Sequence, residues 1–467
     1  MKFSANKKVS IRRVYELTSR LVLAIEDFEK AVGKNFDVVY FQNNANRFGH
    51  LWQEPTLVAT LYNAFPKNIL IILTGLPFSE FCIRIHEDVG FEYADATIFE
   101  GTIELSQLAA YARVSEMKVG GRTLVFELFD HFYNSTVGIS RGHRKLFKTT
   151  LKPFKANVFN RLKIQGDKRI AVLHVRESGW VGAGYNDYRD ANISNYIKAI
   201  KLLESRGFQI VRIGDRSMTP MSYLSNNVLD LAVSTHFEDG DDVVITAFCD
   251  IYLGQTSGPM ILPYLFGKDL IITNEPNPYI GRFQLEDDFR SITVTLFKHH
   301  IYKGRFLSLS DFLRRPARYS SGDFKVAGIK LVENSPEEIE NSVAELLARR
   351  AGAWDTSLDS SVHRWLDALW AARQLAGLKG SNIGRPLLNC YISHVHLPLR
   401  YGGVESNVEH DYVITSDVND ISSALRWMLH RLRILCLRLV SIIQRRGIGG
   451  TLGRAAEIFL HYFKRRI

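Results

Sequence analysis

Apolar residues in the first third of the chain fall into short runs that are bounded by polar and turn residues. Such runs are typical of strands that are buried on both faces of a parallel sheet. Between the runs, apolar residues recur at helical spacing, which predicts strands alternating with helices. The predicted strands span 37–41, 68–74, 94–99 and 123–128, and the predicted helices span 1–35 and 56–64.

From residue 169 onward the same alternation becomes clearer. Strands that alternate with helices of ordinary length predict a doubly wound, mostly parallel sheet. The predicted strands span 169–175, 209–213, 251–254 and 270–273, and the predicted helices span 193–205, 241–249 and 259–266. A helix with glutamates in its first turn, as the helix dipole favours, is predicted at 336–350.

Together these patterns predict an α/β fold with two Rossmann-like doubly wound halves and a helical C-terminal extension. The segment 351–420 gives no clear pattern, apart from helical spacing around 362–375. The predicted units are an N-terminal helix at 1–35, a first Rossmann-like half at 36–160, a second at 165–335 and the extension at 336–467.

Composition places the chain among soluble globular proteins. Apolar residues make up 46% of the 467 residues and charged residues 23%, enough for a sizeable core. The four cysteines lie far apart and show no CxxC spacing, so we expect reduced thiols rather than a disulfide framework or a zinc site. No apolar run suits a signal peptide or approaches the ~18 residues needed to span a bilayer, which predicts a cytoplasmic protein.

The net charge of +10 is concentrated near the C-terminus. Residues 421–467 hold ten basic residues and one acid, which argues against a nucleic-acid surface over the body of the protein. Apolar residues interleave with arginines at 421–446, as in a basic amphipathic helix. Three interpretations stay open: the helix packs on the body, lies on an anionic membrane surface, or binds a partner protein.

The candidate chemistry follows the predicted strands, because ligands of open parallel sheets bind beyond the carboxyl ends of the strands. Arg176 follows the strand at 169–175, where it either clamps a phosphate or pairs with a carboxylate at the sheet edge. Gly214 and Asp215 follow the next strand, and Asp215 suits a hydroxyl of a ribose or of a sugar. Ser257 precedes the helix predicted at 259–266, where an N-cap serine and free backbone N–H groups favour an anion.

The order and spacing of these motifs resemble a family of bacterial surface-polysaccharide glycosyltransferases. The resemblance covers roughly 165–315 and rests on His174-Val175-Arg176, Gly179-Trp180, Tyr188-Arg189, Arg212 with Gly214-Asp215, Ser257-Gly258, Phe266-Gly267 and Asn274. The loop 46–51 is similar to the family's first N-terminal loop. More distantly, the His-x-Arg strand end looks like that of fucosyltransferase-like enzymes, in which the arginine contacts the donor diphosphate.

The resemblance implies a GT-B fold and transfer of a sugar from a nucleotide-sugar donor, without metal or cofactor, to a polysaccharide or lipid-linked acceptor. The implied donor-binding residues are His174, Arg176, Tyr188, Arg189, Arg212, Gly214, Asp215, Ser257 and Gly258. Asp190 stands where the family has asparagine, and Asp269 where proline is common, which leaves the sugar open. Such an enzyme would work in the cytoplasm, or peripherally on the inner face of the cytoplasmic membrane.

Metal chemistry has little support in the sequence. Asp239 and Asp241 form an Asp-x-Asp pattern, but they precede a predicted helix, where acids act as caps. The pair His299-His300 has no third ligand nearby, so we interpret it as structural.

An inverting transfer needs a general base, and the candidates are His50, Glu177 and Asp187. Two other functions compete with transfer. A dinucleotide-dependent oxidoreductase is disfavoured because no GxGxxG follows a first strand. A non-catalytic scaffold of a polysaccharide assembly complex would keep the fold but would not need the arginine.

Overall fold

A computed structural model describes residues 11–112, 116–126, 128, 141–177, 179, 187–221, 228–276, 293–306, 321–354 and 394–396. The predicted basic helix at 421–446 and the helical spacing around 362–375 lie outside this range, as does Trp180. Among the described residues, no helix is both long enough and apolar enough to cross a membrane. Cys82 and Cys249 are buried free thiols.

The described residues of the first half form a five-stranded sheet. Its strands are β1 (Val38–Gln42), β2 (Ile69–Leu73), β3 (Glu92–Asp95), β4 (Glu116–Val119) and β5 (Arg122–Val125). The order is β3-β2-β1-β5-β4, with β4 antiparallel to β5 and the other neighbours parallel. All five residues of β1 are buried, because helices cover both faces of the sheet.

Six helices accompany this sheet in the described residues: α1 (Ile11–Val32), α2 (Phe48–Leu61), α3 (Glu80–Val89), α4 (Thr102–Ala112), α5 (Arg141–Leu151) and α6 (Lys155–Arg161). The predicted start of the second helix at 56 is wrong by eight residues. A proline usually ends a helix because it lacks a backbone N–H. Helix α2 nevertheless continues through Pro55. The strand predicted at 94–99 ends at Asp95, whose carboxylate accepts from Thr97 N at 2.7 Å and starts a 3₁₀ turn.

In the described residues of the second half there are ten short strands in two sheets. They are β6 (Arg169–His174), β7 (Phe208–Arg212), β8 (Val228–Asp230), β9 (Ile251–Gly254), β10 (Asp269–Glu275), β11 (Thr293–Phe297), β12 (His299–Tyr302), β13 (Arg305–Phe306), β14 (Ile329–Val332) and β15 (His394–His396). The main sheet has the order β15-β11-β10-β9-β6-β7-β8 and is parallel throughout. The strands β13-β12-β14 form a small antiparallel sheet.

Five described helices belong to this half: α7 (Ile197–Ser205), α8 (Asp241–Phe248), α9 (Ile261–Leu265), α10 (Ser321–Val326) and α11 (Pro336–Arg350). The helix predicted at 336–350 is confirmed, and its first turn carries a capping box between Ser335 and Glu338. Ile339, Val343 and Leu346 of α11 join the core on one face of the main sheet. This helix, which the sequence assigns to the extension, therefore packs as part of the second half.

In both sheets the strand order reverses at a defined strand. From β6 the chain proceeds outward through β7 and β8, then returns to the other side of β6 with β9 and continues through β10 and β11. The first half does the same around β1, with β2 and β3 on one side and β5 on the other. The predicted fold class of two Rossmann-like α/β halves is confirmed, and ligands of such sheets bind where the strand order reverses.

One apolar cluster joins the halves. It contains Trp52 of α2 and Ile245 of α8, and the rings of Trp52 and Phe266 lie 6.2 Å apart. Phe81 of α3 packs so tightly on Gly240 that a Cβ there would lie 2.2 Å from the ring. The two halves therefore share a core on the sides that face each other.

Candidate active site

Three loops of the second half meet where its strand order reverses. At the carboxyl ends of β6 and β9, His174 is the sheet partner of Gly254. Gln255 follows β9, is 1% exposed, accepts a 2.5 Å hydrogen bond from Arg176 N and donates a 2.9 Å bond to Arg189 O. Gln255 thus holds the backbone at Arg176 and at Arg189. This role could not be inferred from the sequence.

Arg176 lies in the loop directly after β6, as predicted. Its side chain is 11% exposed and forms an ion pair with Asp190. Burial lowers the pKa of Arg176, and the charge of Arg189 lowers it further. A carboxylate at the sheet edge, the alternative partner for Arg176, is therefore present and belongs to Asp190.

Lys298, which follows β11, adds a further cation to this place. It is 5% exposed and donates to Asp190 O at 2.6 Å. Burial lowers the pKa of Lys298, while Glu333 and Asp190 raise it and Arg176 lowers it. We call Arg176, Arg189 and Lys298 the cationic cluster, and Lys298 is its member that sequence reasoning missed.

Arg189 contacts the loop after β9. Its Nη1 donates to Thr256 O at 3.5 Å, and its guanidinium lies over the ring of the neighbouring Tyr188. The buried Nε of Arg189 has no hydrogen-bond partner within the described part of the chain. A buried N–H group without an acceptor is energetically costly, so this Nε is available to donate to an oxygen of a ligand.

Arg212 and Glu177 are paired with each other. Arg212 is fully buried; its Nη2 lies 3.0 Å from Glu177 Oε1, and its Nη1 donates to Thr219 O and Asp230 Oδ2 at 2.6 and 3.2 Å. Glu177 Oε2 also accepts from Thr219 N and Oγ1 at 2.9 and 2.7 Å. The structure uses both residues to hold the loop after β7, so a phosphate contact for Arg212 and a base role for Glu177 stay predictions.

The turn after β7 depends on glycine. Gly214 has φ +152°, and a Cβ there would lie 2.2 Å from Met218 Sδ. Asp215 accepts from Ser217 N at 2.9 Å, so its carboxylate stabilises the turn. Its predicted contact with a sugar hydroxyl stays a prediction.

The predicted helix cap at Ser257 is wrong. Helix α9 begins at Ile261, with Met260 in the cap position, and has only five residues. The Ser257 hydroxyl instead donates to Gln255 O and lies 3.2 Å from His174 Nδ1. Burial lowers the pKa of His174 to about 4, so its imidazole is neutral at pH 7 and orients the loop through hydrogen bonding.

Asp187 and Tyr188 lie in the 3₁₀ turn Asp187–Arg189. Asp187 is exposed, and its carbonyl accepts from Asp190 N at 2.9 Å. The ring of Tyr188 lies 5.7 Å from that of Phe324 in α10. The turn thus supports Asp190 and Arg189, which flank the cationic cluster.

His50 lies in the first half, next to a contact between the two halves. The halves meet at Gly49 and Gly258, where a Cβ on Gly49 would lie 3.0 Å from Gly258 Cα. His50 follows Gly49 in the first turn of α2, and its Nδ1 lies 2.7 Å from Glu54 Oε1. This candidate base is therefore the residue next to the contact between Gly49 and Gly258 of the second half.

The Asp-x-Asp acids lie between the halves and have protein partners. Asp239 accepts from Ser79 Oγ at 2.7 Å and from Phe81 N at 3.2 Å, at the start of α3. Asp241, in the first turn of α8, pairs with Arg161 Nη2 at 2.5 Å. These contacts stabilise helix starts and hold the halves together, and the described residues contain no group of three potential metal ligands.

His299 and His300 also have protein partners. His300 is 1% exposed and lies 2.6 Å from Pro276 O through its Nε2. His299 pairs with Glu338 of the α11 capping box. Both contacts fit the structural role that the sequence analysis gave to this pair.

The sequence matches no protein-family model and no curated protein. Among solved structures, it is similar to the Escherichia coli ADP-heptose LPS heptosyltransferase II, with 12% identity, a TM-score of 0.38 and coverage of 68% of this chain and 100% of that one. A family 9 glycosyl transferase from Veillonella parvula has 11% identity, a TM-score of 0.34 and coverage of 56% and 86%. The iron-containing dodecameric glycosyltransferase TibC of enterotoxigenic E. coli has 10% identity, a TM-score of 0.34 and coverage of 69% and 82%. At this level of similarity, the activity of the chain has to be argued from its own residues.

Proposed function

We propose that this protein is a GT-B glycosyltransferase that moves a sugar from a nucleotide-sugar donor in the second half to an acceptor hydroxyl between the halves. The observation that carries the proposal is the cationic cluster at the strand reversal of the second half. Gly49, the residue before His50 of the first half, contacts Gly258 of the loop after β9. The cluster can stabilise the negative charge of a leaving phosphate, and the imidazole can accept the proton of an acceptor hydroxyl.

The cationic cluster supplies the charge that transfer needs. As the bond from C1 to the phosphate oxygen breaks, the leaving nucleotide gains negative charge, which fixed cations stabilise when water is excluded. Arg176 is 11% exposed and Lys298 5%, so both act in a largely desolvated place. Binding requires the donor phosphate to compete with Asp190 for Arg176, because the two side chains are paired.

Of the three candidate bases, His50 has the best-supported geometry. Glu177 is held by Arg212 and Thr219, and Asp187 is exposed in a turn of the donor half. His50 alone among them comes from the first half, where the acceptor is expected, and it adjoins the contact between Gly49 and Gly258. In an inverting transfer, His50 accepts the hydroxyl proton while the acceptor oxygen bonds to C1.

We propose that transfer survives a chelator. Asp239 and Asp241 are engaged by Ser79 and Arg161, and the cationic cluster can neutralise the leaving phosphate without a metal. Turnover in excess EDTA should stay within about twofold of the untreated rate. Activity that EDTA abolishes and Mn²⁺ or Mg²⁺ restores would show that the Asp-x-Asp acids hold a metal.

The family resemblance suggests a surface-polysaccharide or lipid-linked acceptor, and the basic segment 421–467 suits attachment to the membrane that carries it. We expect the full-length protein to sediment with phosphatidylglycerol vesicles at low salt, because each arginine near an anionic surface adds about 1 kcal/mol of attraction. Deleting 421–467 should abolish the binding, and neutral phosphatidylcholine vesicles serve as the control. Failure of the full-length protein to sediment at low salt would contradict membrane attachment.

A panel of nucleotide sugars tests the function itself. Thermal denaturation of the purified protein would be followed with UDP-, GDP-, ADP- and CMP-sugars and with NAD and NADP. Binding to the folded state at 100 times the dissociation constant stabilises it by about 2.7 kcal/mol, so a bound donor raises the melting temperature measurably. We expect stabilisation by one class of nucleotide sugar. Stabilisation by NAD or NADP alone would favour an oxidoreductase. The absence of stabilisation by any compound of the panel would favour a non-catalytic scaffold.

A further inference from the structure

His50 is the outer end of a hydrogen-bonded chain that runs into the core of the first half. His50 Nδ1 lies 2.7 Å from Glu54 Oε1, and the other carboxylate oxygen of Glu54 accepts a 2.6 Å hydrogen bond from the Tyr40 hydroxyl. The exposed fraction falls along the chain, from 25% for the His50 side chain to 5% for that of Glu54 and 2% for Tyr40. The imidazole is therefore connected to a buried carboxylate that a tyrosine fixes from behind.

Glu54 is an unusual residue for its position. Its neighbours on α2, from Leu51 to Ala59, are all buried, and Trp52, Leu57 and Val58 belong to the apolar core between the halves. A carboxylate in such surroundings is costly unless partners compensate it, so apolar packing does not explain its presence. An ion pair that served stability alone could lie on an exposed helix surface, without that cost.

The backbone of His50 is fixed as well. Gln42, the last residue of β1, is fully buried and donates from Nε2 to His50 O at 3.1 Å. This contact lies at the carboxyl end of β1, the strand at which the strand order of the first sheet reverses. The first half therefore holds His50 both at its carbonyl and at its ring.

We propose that Glu54, held by Tyr40, is the positioning residue that makes His50 a base. The proposal rests on the proposed transfer. The carboxylate accepts the Nδ1 hydrogen, which leaves Nε2 as the nitrogen that takes a proton. When the acceptor oxygen bonds to C1, its proton passes to Nε2, and the electrons of the broken C1–O bond leave with the phosphate. Glu54 then stabilises the imidazolium, and neither Glu54 nor Tyr40 touches the substrate.

The test uses Glu54→Gln in the full-length protein. If the Tyr40 hydroxyl keeps donating to the remaining carbonyl oxygen, the amide N–H₂ faces His50 Nδ1 and favours the opposite tautomer. With ¹⁵N-histidine labelling and a His50→Gln sample to assign the signal, the wild type should show the Nδ1–H tautomer, and Glu54→Gln should lose it. We expect kcat to fall about 10- to 100-fold, a part of the 10²–10⁴-fold that a general base typically supplies, with KM for the donor unchanged.

The matched control is Glu29→Gln, which changes another buried glutamate of the first half. Glu29 is 6% exposed and pairs with Arg122 at 2.5 Å. Its helix α1 packs on the face of the first sheet that Val39 and Phe41 line, whereas Tyr40 lies in the core on the α2 side. This variant should lower stability and leave both the His50 tautomer and kcat as in the wild type.

A double variant separates positioning from general damage. Glu54→Gln added to His50→Ala should cost little beyond His50→Ala alone, because residues that act through one another are not additive. Tyr40→Phe removes only the hydroxyl and serves if Glu54→Gln does not fold; it should weaken the Nδ1–H signal and lower kcat a few-fold.

An unchanged His50 tautomer in Glu54→Gln, or a loss of kcat that adds in full to that of His50→Ala, would overturn the positioning role. The tautomer is read without substrate. A shifted tautomer in a protein that turns over no nucleotide sugar would therefore refute the proposed transfer while leaving the hydrogen-bonded role of Glu54 demonstrated.

Discussion

We expect His50→Ala to lower the rate of sugar transfer by about 10²–10⁴-fold, the usual contribution of a general base. The imidazole is one-quarter exposed, so its removal opens no buried cavity, but it leaves the buried carboxylate of Glu54 with only the Tyr40 hydroxyl among the described residues. We therefore expect a lower melting temperature, and thermal denaturation has to show that the variant is folded at the assay temperature. Binding of the donor should be unchanged, because the cationic cluster lies in the other half. The measurement is kcat at saturating donor, together with the dissociation constant of the nucleotide sugar from calorimetry.

His236→Ala is the matched control. His236 is exposed, and its described hydrogen bonds are made by its backbone, so an alanine there should leave kcat unchanged. A His50→Ala protein that turns over at a near-normal rate would remove His50 from the chemistry and return attention to Glu177 and Asp187.

The second large effect is expected from Arg176→Ala, which should lower transfer by about a hundredfold or more. Loss of one charge-assisted contact to a group that gains charge in the transition state typically costs about 2.7–4 kcal/mol. Arg176→Lys should also be poor, because a lysine cannot donate two parallel hydrogen bonds to a phosphate. The measurement is kcat/KM for the donor, compared with Arg169→Ala, which changes an exposed arginine at the opposite end of β6.

Arg176→Ala has a structural side effect that needs its own control. Asp190 has a side chain that is 22% exposed, and the variant leaves its carboxylate without the guanidinium. Arg176→Ala/Asp190→Asn removes that charge, so it should recover stability but not transfer. Recovery of the transfer rate in the double variant would contradict a direct role of Arg176 in binding the leaving phosphate.

The strands that carry the candidate site of the second half could be predicted from the sequence. β6, β7, β9 and β10 are nearly continuous apolar runs because both faces of the sheet are covered, and such runs are distinctive. β8 has only three residues, all half-buried, so it gives no apolar run. β11 and β12 are separated by a single residue, so the sequence does not show them as two strands. The start of α2 was missed because Pro55 hides the continuity of the helix.

The candidate site was only partly predictable for a related reason. Arg176 follows a strand that the sequence shows plainly, so its position could be inferred. Lys298 follows β11, which was not predicted, and Gln255 acquires its role only when two strand ends become neighbours. Glu54 lies before the predicted start of its helix, so its i,i+4 relation to His50 was not visible.

Release of nucleotide tests the central claim most directly. The purified protein would be incubated with the nucleotide sugar that stabilises it, with and without a glycolipid acceptor, and the free nucleotide quantified over time. We predict release that the acceptor accelerates and that both His50→Ala and Arg176→Ala lose. A protein that binds a nucleotide sugar in calorimetry but releases nucleotide from none of the panel, with any acceptor tested, would contradict the account and identify a non-catalytic scaffold.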